Sequence, residues 1–537
     1  MTAVSNSVPP AAVPQDNLTD RAYRRRIFSW SLYDWADHAF ITSTASTFFP
    51  PYFIAIAVPA FLAAGKAADD SGAAALARDS ASNAFAATVS IALLLAAILA
   101  PILGTVADLT GTRKRILVIS TIIGGIIASL MFTLTTGMWL LGLVLYAGAQ
   151  IALNVALGLS SSLLPHITRP GDMNRVSSLG YAMGYIGGGI LLAINTALYL
   201  FADKLGIQPE MAVRIAFLLV GIWWIAFMIP MARAVPEPPA LPLAGSTGNV
   251  VSDTFRRIGN TLRDIQRYRE LFKMLIAFWL YSEGIGAIIL LATAYGAALN
   301  FSTSALITAL LMTQFVAFPF ALIYGRIPDV ANKWRSAYVS MLIWTAITLP
   351  LLGIYANSQG NGDSALGIGM TFALIVGDQI LGILLAVFIG RRLLASFTER
   401  LTTKRAIILG LAIYAVVPIW GFFLKSQAEF YMIGWLIGTV QGGTQALSRA
   451  IYAQLSPRAK SGEFFGLYGL SEKFAGLIGP ALYALVGTIT HSPQDSILSI
   501  TLFFLLGIFM LARVDVTKGT EVADAENIEG AALHAGA

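Results

Sequence analysis

GTVADLTGTRKR, residues 104–115, is the stretch whose reading decides the fold. A single aspartate, Asp108, sits between Gly104 and Gly111, and three bases follow at once. Long apolar runs lie on both sides, so the stretch reads as a tight turn at a membrane edge, held on the basic side of the bilayer. A second copy, ASFTERLTTKR, occupies 395–405. Asp108 and Glu399, Arg113 and Lys404, and Lys114 and Arg405 are each 291 positions apart. A longer pair repeats at nearly the same distance. LLPHITRPGDMNRVSSLGYAMGYIGG (163–188) and QLSPRAKSGEFFGLYGLSEKFAGLIG (454–479) align Pro165 with Pro457, Gly184 with Gly476 and Gly187 with Gly479, each 292 apart. Two motifs at almost one offset mean that the chain is built from two related halves running in the same direction.

Composition fixes the class. The 537 residues are 56% hydrophobic and 12% charged, against about 25% charged in a soluble protein. Apolar windows of about 20 residues, the length that crosses a hydrocarbon core, recur throughout. The chain has no cysteine, which excludes disulfides and thiol chemistry. Its four histidines are scattered, and no HExxH, no Cys/His cluster and no P-loop occurs. A zinc enzyme or an ATP-driven pump is therefore not expected, nor is any cofactor, metal or nucleic-acid partner.

Fourteen spans are expected: 27–57, 83–107, 115–136, 138–163, 176–201, 211–233, 271–299, 304–326, 336–356, 366–390, 405–424, 429–452, 464–488 and 496–513. The bases fall on one side: 21–26, 113–115, Arg169 with Arg175, the 235–270 loop, Lys333 with Arg335, 391–405, and Arg458 with Lys460. Both termini are then cytoplasmic. Residues 1–26 and 514–537 read as disordered cytoplasmic tails. Residues 27–234 form the first six-helix half, and 235–270 a cytoplasmic linker. The linker holds an amphipathic helix with Phe255, Ile258, Leu262 and Ile265 on its apolar stripe, lying on lipid or standing as a solvated linker. Residues 271–513 form the second half. Two of its helices are surplus to a six-plus-six plan, either 304–356 or 336–390, an extra hairpin within 304–390. The 291 offset favours Glu399 over Asp329, in GRIPDVANKWR (325–335), as the partner of Asp108.

The sequence resembles the vacuole effluxer family of the major facilitator superfamily. SLYDWADHAF (31–40), LYSEG (280–284), VQGGTQALSRAIYAQLSP (440–457) and EFFGLYGLSEKFAGLIGP (463–480) carry the likeness. The resemblance implies an all-α polytopic membrane protein with the major facilitator fold, in two pseudo-symmetric halves. It implies a secondary transporter of small solutes, amino acids foremost, working as a monomer in a bacterial inner membrane. Where the family has Asn-Ser and Asn-Asp, this chain has Asp37-His38 and Ser282-Glu283.

Four core helices of that architecture face the route. They hold Tyr33, Asp34, Asp37 and His38; Gln150 and Asn154; Tyr281 and Glu283; Gln441 and Gln445. Asp37, Gln150, Glu283 and Gln441 lie roughly 15–20 Å from their helix ends, near the midplane. Ionisable groups there are costly, which points to transport or proton coupling. A buried hydrogen-bond network is the plainer alternative. The basic-edge motif, Gly104, Asp108, Gly111, Arg113 and Lys114 with Glu399, Lys404 and Arg405, is expected to lock one conformation, or only to anchor topology. Gly180, Gly184 and Gly188 read as a packing face. The same fold with a sugar, nucleoside or drug as cargo is the nearest rival, and a lipid-handling or sensor protein the rival from another class.

Overall fold

The computed structural model describes residues 19–64, 71–240, 249–358, 368–474 and 478–535, all regular elements of which are helical. The first half comprises α1 (Asp20–Ala39), α2 (Phe49–Ala64), α3 (Ser71–Thr110), α4 (Arg113–Leu130), α5 (Trp139–Ile167), α6 (Met173–Leu200) and α7 (Pro209–Ala234). A π-helical stretch, Phe40–Phe48, joins α1 to α2, so the first span is one long rod with a widened turn. The linker helix α8 is Val250–Arg263.

The second half comprises α9 (Arg269–Ala298), α10 (Thr303–Tyr324), α11 (Asn332–Ser358), α12 (Ile368–Leu385) and two short turns, α13 (Arg391–Leu393) and α14 (Ala395–Glu399). It continues through α15 (Thr403–Phe422), α16 (Gln427–Leu455), α17 (Ser461–Phe474), α18 (Ile478–Thr490), α19 (Pro493–Ser499) and α20 (Thr501–Ala512), and α21 (Val516–Ala535) follows.

Among the described residues, twelve helices are long and apolar enough to cross a membrane. Two of the fourteen expected spans are absent from that set. Span 429–452 is α16, and its polar content has a reason: nearly every residue from Glu429 to Leu455 is buried by protein rather than lipid. Span 464–488 divides into α17 and α18.

The halves repeat their packing. In the first, α1 packs on α6 and α7, α4 on α5 and α7, and α3 on α5. In the second, α9 packs on α17, α18 and α20, α15 on α16 and α20, and α10 on α16. Across the halves, α3 meets α17 and α6 meets α10. By these contacts α10 stands to α6 as α3 stands to α17. The helices α11 and α12 pack on each other and against α16, where Asn357 donates to the buried Glu429 at 2.7 Å.

Three expectations change. Residues 1–18 lie outside the described residues, but RAYRRR is the start of α1, capped by the Thr19 hydroxyl. Residues 516–535 are helical, not a loose tail. In α8 the polar side, Asp253, Thr254, Arg257 and Thr261, is buried against the bundle, while Phe255 and Ile265 are exposed. The side chain of Leu262 lies outside the described residues.

Candidate functional site

The last two turns of α1 carry a buried polar cluster. Asp34 is buried, and its Oδ2 accepts from Arg449 Nη2 at 2.9 Å. Arg449 belongs to α16, so this ion pair joins the two halves. The guanidinium also donates to Ser177 Oγ at 3.0 Å and to Ser177 O at 2.9 Å, and it lies over the rings of Tyr181 and Trp30. Such a charge is tolerable out of water because it is paired and hydrogen-bonded. One turn deeper, His38 Nδ1 lies 2.7 Å from Asp37 Oδ1, while Asp37 Oδ2 is buried with no partner among the described residues. Tyr185 flanks His38 and donates to Gln445 Oε1 at 2.5 Å.

The glycine face of α6 makes this possible. A Cβ at Gly180 would overlap the Asp34 carboxylate and the Arg449 guanidinium, and one at Gly184 would overlap the His38 ring. Glycines that read as packing therefore house the polar cluster itself.

The remaining expected residues divide. Tyr33 turns to α4, its hydroxyl 3.2 Å from Thr121 Oγ1. Tyr281 donates to Ser448 at 2.6 Å. Gln150 Oε1 and Asn154 Oδ1 are buried without partners among the described residues. Gln441 Oε1 is likewise unpartnered, and Gln441 lines a cavity between α9, α10, α15 and α16. Thr313 and Gln314 stand beside it; Ile288, Leu306, Phe430 and Ile433 wall the rest. Glu283 is engaged elsewhere. It accepts from Trp279 at 3.2 Å and from the Gly479 N–H at 2.8 Å, so it caps the first turn of α18.

The basic end is closed by a second cluster. Asp108 is fully buried; it accepts from Arg113 Nε at 2.6 Å, Gly462 N at 2.9 Å and Glu463 N at 3.0 Å. It thus caps α17 of the opposite half, where N–H groups and helix dipole both favour an anion. Gly104 is required here, because a Cβ would run into the Gly462 carbonyl. Gly111 has φ +63, the left-handed turn that glycine adopts freely. Lys114 Nζ donates to Val235 O, at the end of α7, at 2.9 Å. Arg257 of α8 adds bonds to Glu463 and to Ala459 O, and His166 Nε2 lies 3.1 Å from Arg458 O. From the other side α21 holds the same loop: Glu526 pairs with Lys460 at 2.8 Å, and Asn527 accepts from Arg458 N.

In the second copy the acid is Asp329, not Glu399. Asp329, in the turn after α10, accepts from the Asn174 side chain in the first turn of α6 at 3.1 Å, where Asp108, in the last turn of α3, accepts from two backbone N–H groups of α17. The Glu399 carboxylate is exposed and has no partner among the described residues. Lys404 donates to Val514 O at 2.8 Å, past the end of α20, which is the role of Lys114. Arg405 donates to Arg400 O.

Comparison with known proteins agrees with this architecture. The family model "Vacuole effluxer Atg22 like" matches residues 22–361 and 362–524. The chain belongs to the Atg22-like vacuole effluxer family. It is 28% identical over 502 residues to an uncharacterized MFS-type transporter, YxiO, of Bacillus subtilis, covering 93% of this chain and 97% of that one. It is 26% identical to Autophagy-related protein 22-1 of Penicillium rubens, over 66% of this chain and 52% of the relative, so it spans about half the length of that fungal protein. Among solved structures it resembles the major facilitator transporter FucP in the outward conformation, with TM-score 0.52 at 10% identity, covering 92% of this chain and 100% of that one. It also resembles the proton:xylose symporter XylE, with TM-score 0.50 at 14% identity, covering 94% and 98%. The molecule is an integral multi-pass membrane transporter of major facilitator type, not an enzyme.

Within the Atg22-like architecture, sequence reasoning missed Ser177, Arg257, His166 and the Asp329–Asn174 contact. Asp329 was visible in its motif-like turn. Arg449 lay within VQGGTQALSRAIYAQLSP, but its partner could not be read there.

Proposed function

We propose that the protein exports or exchanges small polar solutes, amino acids first, across the cell membrane by alternating access, coupled to protons through Asp37 and His38. The observation that carries this reading is the meeting of Asp34 and Arg449, buried charges from opposite halves, one turn from a carboxylate with an unpartnered oxygen. A charge pair across the halves is a contact that rocking must break and remake. The Asp37 carboxyl, with one oxygen on the His38 imidazole and the other unpartnered among the described residues, is suited to load and release a proton. Glu283, as a helix cap, is assigned no part in coupling. The cavity beside Gln441 favours an amino acid over a sugar, since its walls are mostly apolar and its polar groups, Thr313, Gln314 and Gln441, are few.

We further read the molecule as fourteen spans with cytoplasmic termini, α16 and α17–α18 completing the twelve. The extra hairpin is then α11–α12, which supports 336–390 over 304–356. The motif offsets support it too: Lys404 and Lys114 are 290 apart and Asp329 and Asp108 are 221 apart, so about 69 residues (290 − 221) entered between acid and base. The test of cargo is counterflow in proteoliposomes against a panel of amino acids, sugars and nucleosides. Saturable exchange of an amino acid is expected; exchange of none would sink this cargo.

A further inference from the structure

At the basic end, beside the closed gate, two cavities adjoin α1, and their charges differ. One is lined by Asp20, Tyr23, Arg24, Arg169, Asp172 and Arg175. Its charges are largely neutralised: Arg169 pairs with Asp20 at 2.7 Å, and Arg175 pairs with Asp172. The other, about 480 Å³, is lined by Arg21, Arg25 and Arg26 of α1 and Arg233 of α7, with Thr19, Ala22 and Ala234. No acid lines it. Arg21, Arg25 and Arg233 have no side-chain partner among the described residues.

Exposed apolar side chains follow these arginines along both helices. Along α1, Arg21, Arg25 and Phe28 share one face, and Phe28 is 51% exposed. Along α7, Ile222, Ile229 and Arg233 share one face, and both isoleucines are exposed. Arginines therefore sit above an exposed apolar face at the level where a span leaves the hydrocarbon. A soluble anion would use the charges and leave that face uncovered. A phospholipid uses both, its phosphodiester among the guanidinium groups and its acyl chain on Phe28 and Ile229. Arginine suits the phosphate because its fork donates two parallel hydrogen bonds.

The geometry points to a binding site for one anionic phospholipid headgroup of the basic-side leaflet, between α1 and α7. It does not depend on cargo or coupling. The site bridges the first and last helices of one half, so its occupant steadies that half as a unit.

The test uses the purified full chain in phosphatidylcholine micelles, titrated with acyl-labelled phosphatidylglycerol and, separately, with acyl-labelled phosphatidylcholine. The native chain should prefer the anionic lipid. R21Q/R25Q/R233Q should weaken that binding by roughly fivefold per arginine, on the order of a hundredfold together, and Arg233→Gln alone by about fivefold. R391Q/R392Q/R400Q, which removes as much charge elsewhere at the same end, should keep it. Inorganic phosphate should fail to displace the probe. Undiminished binding in R21Q/R25Q/R233Q, an equal loss in the control, or displacement by inorganic phosphate would each overturn the site.

Discussion

The turn at 104–115 and its divided counterpart at 325–335 and 395–405 perform the same two tasks with unequal means. In the first, one buried carboxylate takes a guanidinium and two backbone N–H groups, and Lys114 closes the last helix of its own half. In the second, Asp329 meets one neutral amide, and the base that closes the last helix is Lys404, beyond α11 and α12. Anchoring the opposite half and anchoring one's own half are therefore separable tasks. A compact motif merges them; the second half shows them apart. The lock at α3–α17 is the strong one and that at α10–α6 the weak one.

The contrast can be broken at several strengths. Asp108→Asn should have the largest effect, because it leaves Arg113, fully buried, without its anion; removing one partner of a buried pair costs about 3–5 kcal/mol. Thermal unfolding of the purified chain reads the loss, and a change no larger than that of Asp329→Asn would contradict the ranking. Gly462→Ala comes next. Its Cβ would meet the Asp108 carboxylate and the Gly104 carbonyl, so the closed basic end should be disfavoured. A spin-label pair at Arg115 and Arg400 should report a longer distance in that variant. An unchanged distance would mean the crossing is looser than described. Lys114→Ala and Lys404→Ala should each cost about 1.5–3 kcal/mol, the worth of a hydrogen bond to a charged group, and by similar amounts if their tasks are equivalent.

The smallest effect is on pH. Burial pushes the Asp329 carboxyl above its usual range, only partly offset by Asn174. Its stabilising share is present in acid and lost as pH rises through the raised value. Asp172 works in the opposite sense. Burial opposes its charge, but Arg175 and Tyr23 hold it below the usual range, so its share is present above the unfolded value and lost as pH falls through the lowered one. Asp329→Asn should remove the first trend and leave the second; a profile unchanged by Asp329→Asn would refute this assignment.

Much of the fold was legible because hydropathy and repeat spacing are one-dimensional signals. Apolar segments, parallel repeats and a basic edge can be counted along a string. Partners across the halves cannot. Arg449 and Asp34 are 415 residues apart, and only the bundle brings them together. Offset alone pointed to Glu399, whereas the carboxylate that meets the opposite half is Asp329. Glu283 looked like a route carboxylate because depth is legible, whereas the break between α17 and α18 that it caps is not.

The central claim is that Asp37, beside His38, carries the coupling proton for solute movement between the two halves. The most direct measurement compares native chain and Asp37→Asn in the same proteoliposomes, for pH-gradient-driven accumulation and for solute counterflow. The account predicts that the variant loses gradient-driven accumulation and keeps counterflow. Full accumulation under a pH gradient in Asp37→Asn would contradict it and make the α1 cluster a structural network.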